Sequence, residues 1–123
     1  MAHLISPDFV SIQVEDLDAA RDFYSNVLGL RLAPGGPPGA VVFDTKPVPF
    51  AVRKPLVDLT ATDKLGWGVA VWFGCDDADV LHDDLVKRGV PIVFMPKDGP
   101  FGRYFSFRDP FGYSITAHTV KQP

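Results

Sequence analysis

The stretch Phe9-Val-Ser-Ile-Gln-Val-Glu-Asp-Leu-Asp-Ala-Ala-Arg-Asp-Phe-Tyr-Ser-Asn-Val-Leu-Gly-Leu30 changes its hydrophobic period halfway along. Val10, Ile12 and Val14 alternate with Phe9, Ser11 and Gln13, the period of two expected of a strand with one buried face. Ala20, Phe23, Tyr24, Val27 and Leu28 then fall on one helical stripe. Asp16 is placed to cap that helix, Asp18 and Asp22 suit its early turns, and Gly29 stops it. Strand then helix is the opening of an α+β unit.

The same order returns downstream. A slide of 61 residues lays Asp16, Asp18 and Asp22 over Asp77, Asp79 and Asp83, and Val10, Ile12 and Val14 over Val71, Phe73 and Cys75. Val69–Cys75 reads as a strand, Asp76-Asp77 as a helix start, and Ala78, Leu81, Leu85 and Val86 as that helix's apolar side, with Gly89 as its stop. Short strands are expected at Leu30–Leu32, Ala40–Asp44 and Phe50–Arg53 in the first half, and at Pro91–Met95, Arg103–Arg108 and Ser114–Thr119 in the second. The Pro34–Gly39 loop, a linker at 56–66 and turns at Asp98-Gly99-Pro100 and Asp109–Gly112 separate them. This is an internal duplication, with module one at about 8–55 and module two at about 67–120. Each half is expected to close against the other or against a partner chain's half.

A chain of 123 residues with 46% hydrophobic and 22% charged residues has the composition of one folded domain. The formal charge of −3 comes without any basic run, so no nucleic-acid footprint is present. No apolar stretch reaches the ~18 residues that cross a bilayer, and the first residues lack the pattern of a secretion signal. A cytoplasmic protein with no nucleic-acid or membrane partner is the expectation. Cys75, the single cysteine, leaves no disulfide within the chain.

The opening stretch resembles that of the glyoxalase/bleomycin-resistance/extradiol-dioxygenase (vicinal oxygen chelate) superfamily. Phe107-Arg-Asp-Pro-Phe-Gly-Tyr-Ser-Ile115 resembles its closing turn and last strand, and Val69 through Gly89 also fits. The resemblance implies two βαβββ modules whose mixed sheets curl around a shared cavity, helices on the outer faces, and a homodimer. Activity does not follow from the fold, because the superfamily holds isomerases, dioxygenases, thiol transferases and non-catalytic drug binders.

Metal-dependent members hold a divalent ion with His, Glu or Gln from four strands, leaving open positions for vicinal substrate oxygens. Carried onto this chain, those positions match Phe9, Ala70, Thr116 and a residue within Phe50–Arg53, none of which is a plausible ligand. Of the histidines, His3 falls in the N-terminal tail, His82 on the second helix, and only His118 on the cavity side of the last strand. The expectation is therefore no metal and no cofactor. Cys75, between an apolar strand and two aspartates, reads as a core residue rather than a nucleophile.

What remains for a cavity is aromatic with a few polar groups. Phe9, Ser11, Trp67, Trp72, Phe105, Thr116 and His118 are candidate ligand contacts, with Arg53 and Arg103 as groups that could orient an anionic or carbonyl-bearing ligand. In the strand after Phe101, either Phe105 and Phe107 or Tyr104 and Ser106 must face the core. No catalytic residue is assigned. The expected function is metal-independent binding of a small, partly aromatic organic molecule, as in bleomycin-resistance-type sequestering proteins. The rival is a glyoxalase-like lyase, isomerase or dioxygenase with a divalent metal, and a third reading is a scaffold with an empty cavity.

Overall fold

The computed structural model describes residues 2–120. They form an α+β fold of seven strands in two mixed sheets with one helix against each. The chain divides into two units between Ala61 and Thr62.

In the first unit β1 (Val10–Gln13) runs into α1 (Leu17–Asp22), and β2 (Ala40–Phe43) and β3 (Phe50–Arg53) follow. The sheet order is β1-β3-β2, with β1 parallel and β2 antiparallel to β3. Asp16 caps α1 as expected, its carboxylate accepting from Ala19 N at 3.0 Å. The helix does not continue regularly to Gly29. Phe23–Val27 widens into a π-helical turn, in which Leu28 N donates to Phe23 O at 3.0 Å. Tyr24 is fully buried there, with ring centroids 5.1 Å from Phe50 and 6.0 Å from Phe43. With Ile12, Val14, Ala20 and Val52, these rings make the first core.

The strand expected at Leu30–Leu32 shrinks to a single bridge from Leu32 to Phe43, flanked by Asp44 N to Arg31 O and Ala33 N to Val42 O. Pro34 has no N–H to extend the ladder, and Gly35 and Gly36 turn away at positive φ.

In the second unit β4 (Val71–Cys75), α2 (Ala78–Lys87), β5 (Ile92–Lys97), β6 (Tyr104–Arg108) and β7 (Ser114–Thr119) give a sheet of order β4-β7-β6-β5. Here β4 and β7 are parallel and the other neighbours antiparallel. This repeats the first sheet strand for strand, with the Leu32 bridge standing where β5 does. The cap repeats too: Asp77 accepts from Val80 N at 3.1 Å, three residues on, as Asp16 does from Ala19. The duplication read from the aspartates is therefore present in the topology.

Three expectations change, the first being that the strand expected at Pro91–Met95 runs from Ile92 to Lys97. β4 starts at Val71 rather than Val69, because Val69 N closes a turn on Gly66 O. Val86 faces solvent, leaving Ala78 and Leu85 as the fully buried residues of α2. The last turn is held by Asp109, buried, whose Oδ1 accepts from Phe111 N and Tyr113 N, both at 2.9 Å. That bridging explains an Asp-Pro-Phe-Gly sequence between β6 and β7: the carboxylate satisfies two backbone donors that the turn leaves unpaired.

Candidate functional site

Register assigns each side chain of the second sheet to a face. Trp72 pairs with Thr116, Thr116 with Ser106, and Tyr104 with His118, so these five share the face turned away from α2. Val71, Phe73, Cys75, Ile115, Ala117, Thr119, Phe105 and Phe107 take the helix face. There Thr119 Oγ1 accepts from Ala78 N at 2.9 Å, tying the last strand to the start of α2.

On the open face the aromatics form a connected surface. Trp72 stacks on Tyr104 with centroids 5.4 Å apart and planes 18° from parallel. Phe94 meets Tyr104 edge-on at 5.5 Å, Phe101 meets Trp72 edge-on at 6.1 Å, and His118 stands 5.6 Å from Trp72 at 64°. The Lys97 ammonium lies 4.4 Å over Phe94 and 5.5 Å from the Tyr104 centroid. Trp72 keeps 43% of its surface and Phe101 71%, which leaves indole and phenyl faces available for a flat molecule. Two groups on this face already have partners. Ser106 Oγ donates to Ile115 O at 3.0 Å, and His118 Nδ1 lies 3.1 Å from Phe101 O.

Three candidates from the sequence belong elsewhere. Phe105 is fully buried on the helix face, where its ring is met edge-on by His82 of α2 at 5.4 Å. The alternative left open between Phe105/Phe107 and Tyr104/Ser106 is thereby decided: the two phenylalanines are core. Arg103 has the same parity and reaches to α2. Its Nε lies 3.2 Å from Asp79 and its Nη1 3.4 Å from Asp98, and hydrogen bonding to Asp79 raises its pKa further. With its donors directed to two carboxylates, it is not a free cation for a ligand. Trp67 is 81% exposed in the turn before β4, with Lys64 Nζ 4.7 Å over its ring, apart from the Trp72 contacts.

Phe94, Lys97 and Tyr104 were not among the sequence candidates. β5 contains two register irregularities, so Ile92 pairs with Phe107 while Phe94 pairs with Ser106 and Lys97 with Tyr104. Simple alternation puts Ile92 and Phe94 on one face; the irregularities put them on opposite faces. Pro96 inside an edge strand was the available sign, since it cannot donate to a ladder.

In the first unit Ser11 pairs with Ala51, Gln13 with Arg53, and Ala51 with Val42, so Ser11, Gln13, Ala51, Val42 and Arg53 share the face opposite α1. Phe9 precedes β1 with the same parity and is half exposed. Arg53 Nε donates to Lys54 O at 3.3 Å. An open hollow of about 660 Å³ lies at this unit's far edge, between Val42, Ala33 and the Asp44–Pro49 turn. Its charged groups, Lys46 and Asp44, pair with each other at 3.1 Å.

The residues at the family's ligand positions do not fit a divalent ion. Phe9, Ala70 and Thr116 offer no imidazole, carboxylate or amide, and the open face of β3 offers only Ala51 and Arg53. Gln13 Oε1 is engaged by the backbone N–H of Leu56 at 2.6 Å and Val57 at 3.3 Å. Among the described residues no three His, Cys, Asp or Glu side chains converge. Cys75 is on the helix face, and burial, with Asp76 and Asp77 adding to it, pushes its thiol up to about 11. At neutral pH it is protonated and a poor nucleophile or ligand.

Comparison with known proteins agrees with this topology. The anthracycline biosynthesis protein DnrV of Streptomyces peucetius is 29% identical over 119 residues, which is 95% of this chain and 42% of that protein. The chain thus spans less than half the length of that curated relative. A glyoxalase/bleomycin resistance protein from Streptomyces sp. CB03234 is 27% identical, with a TM-score of 0.69 over 92% of this chain and 99% of that one. TnmS3, an antibiotic binding protein from the same strain, has the same fold, with 24% identity and a TM-score of 0.72 over 98% of this chain and 100% of that one. The family model for the Glyoxalase/Bleomycin resistance protein/Dioxygenase superfamily matches residues 6–116, and the chain belongs to that superfamily.

Proposed function

We propose that this protein binds a small, partly aromatic organic molecule, without a metal and without transforming it. The molecule lies on the Trp72 face of the second sheet. The observation that carries this reading is the stacked, half-exposed Trp72–Tyr104 pair, extended by Phe94 and Phe101. A soluble domain gains nothing in stability from leaving an indole face in water, whereas a planar ligand placed on it gains burial and stacking. The donor-poor residues at the family's metal positions support a binding role over a metal-dependent lyase or dioxygenase. The names of two relatives support the same reading: DnrV is an anthracycline biosynthesis protein, and TnmS3 is an antibiotic binding protein. The reading has the protein acting in the cytoplasm as a homodimer, by stoichiometric capture.

The test is calorimetric titration with 2-naphthol as a planar aromatic probe, with and without EDTA, followed by mass spectrometry of the recovered probe. Saturable binding, indifferent to EDTA, with unchanged probe mass is expected. Trp72→Ala should weaken it by at least about tenfold while leaving the fold intact. Absence of saturable binding removes the reading. EDTA-sensitive binding or an altered probe mass replaces it with the enzyme. Sedimentation equilibrium checks the dimer.

A further inference from the structure

We infer that His118 is the group on this face that selects ligands, by accepting a hydrogen bond from a hydroxyl on the edge of the aromatic ring. The inference rests on the Trp72 face being the binding surface. His118 Nδ1 lies 3.1 Å from the carbonyl oxygen of Phe101. A carbonyl only accepts, so Nδ1 must carry the hydrogen. In a neutral imidazole the lone pair is then fixed on Nε2. Among the described residues no donor is directed to Nε2.

The placement makes that lone pair a selective element. The imidazole stands 5.6 Å from Trp72 at 64° to it, so it is upright beside the indole rather than a further stacking tile. It projects from β7 next to Tyr104 on β6, and Phe101, whose carbonyl fixes its tautomer, also touches Trp72. One loop residue therefore both borders the stacking surface and sets the polarity of its edge. A ligand laid on Trp72 and Tyr104 meets an acceptor at this margin. An aromatic hydroxyl can donate to it. An ether or carbonyl oxygen brings its own lone pairs and cannot. The Lys97 ammonium, over Phe94 and Tyr104 on the β5 side, is the other polar group of the face, and it would favour any oxygen irrespective of whether that oxygen carries hydrogen.

The experiment compares 2-naphthol with 2-methoxynaphthalene, which has the same ring but no O–H, at pH 8, where an imidazole is ordinarily neutral. The wild-type protein is expected to prefer the naphthol by roughly 3- to 10-fold, the range one neutral hydrogen bond supplies. His118→Phe keeps a flat ring and should bind both probes equally. His118→Gln restores an acceptor oxygen and should recover part of the preference. Equal wild-type affinities would overturn the inference, as would a preference that survives in His118→Phe, which would move the selection to Lys97. If neither probe binds the wild-type protein, the binding surface itself is refuted rather than the role of His118. The wild-type comparison stands even where a variant does not fold.

Discussion

Replacing Gly99 with alanine isolates the packing of Tyr104, the ring at the centre of the aromatic face. The φ of Gly99 is not in the left-handed region, so alanine meets no backbone penalty there. The added Cβ, however, would fall within 3.0 Å of two atoms of the Tyr104 ring. That ring cannot simply swing aside, because Trp72 stacks on it at 5.4 Å and Phe94 abuts it at 5.5 Å. Overpacking of this kind costs ~1–3 kcal/mol. The reduced freedom of the unfolded chain returns ~0.4–1 kcal/mol. A net loss of about 1–2 kcal/mol is expected, read as a lower urea midpoint with an unchanged slope. In a Tyr104→Ala background the obstacle is gone, and Gly99→Ala should then be neutral or stabilising by ~0.4–1 kcal/mol. The two substitutions should therefore couple by about 2 kcal/mol in a double-mutant cycle. Effects that add to within about 0.5 kcal/mol would show that Gly99 and Tyr104 do not press on each other, and the arrangement of the aromatic face would be wrong.

Other consequences are simpler to check. With its thiol pushed up to about 11, Cys75 should react with iodoacetamide slowly at pH 7–8 and faster by about tenfold per pH unit to pH 10; a plateau near pH 8.5 would place it in water rather than on the helix face. Asp16→Ala and Asp77→Ala should each cost about 1 kcal/mol in urea unfolding, with the Asn variants close to wild type, and the double variant should show the sum, since the two caps belong to different helices. Arg103→Ala should leave 2-naphthol affinity unchanged, because the guanidinium is directed to Asp79 and Asp98; a clear loss of affinity would return Arg103 to the ligand side.

The legible parts of this fold were those governed by local rules. Asp16 and Asp77 cap their helices because a short carboxylate before an apolar helical stripe has little else to do, and both bonds form three residues on. β4 and β7 carry their faces in strict alternation, so Trp72, Thr116 and His118 were assigned to the correct side from sequence. Where alternation breaks, inference from sequence breaks with it. Phe105 and Arg103 were assigned to the ligand side because the parity of β6 is not visible in a run where both faces are rich in aromatics. Phe94 was missed because the register of β5 slips between Ile92 and Phe94, and Lys97 because the strand runs two residues past its expected end at Met95.

Residue order alone sufficed for the duplicated strand–helix–strands plan, the two caps, the place of the turn at Asp109–Gly112, and the absence of usual ligand types at the family's metal positions. These depend on neighbours within a few residues, or on residue identity alone. Which rings meet was decided only by the tertiary structure. Trp72 reaches Tyr104 because β7 separates β4 from β6 and sets the register of both, Phe94 joins them only through the irregular pairing of β5 with β6, and Lys97 joins through the extension of β5 to that residue. The tautomer of His118 likewise depends on a carbonyl 17 residues away, brought within 3.1 Å by the loop before β6. Hydrogen bonds and stacking act over a few ångströms, and only the folded sheet brings such distant residues that close.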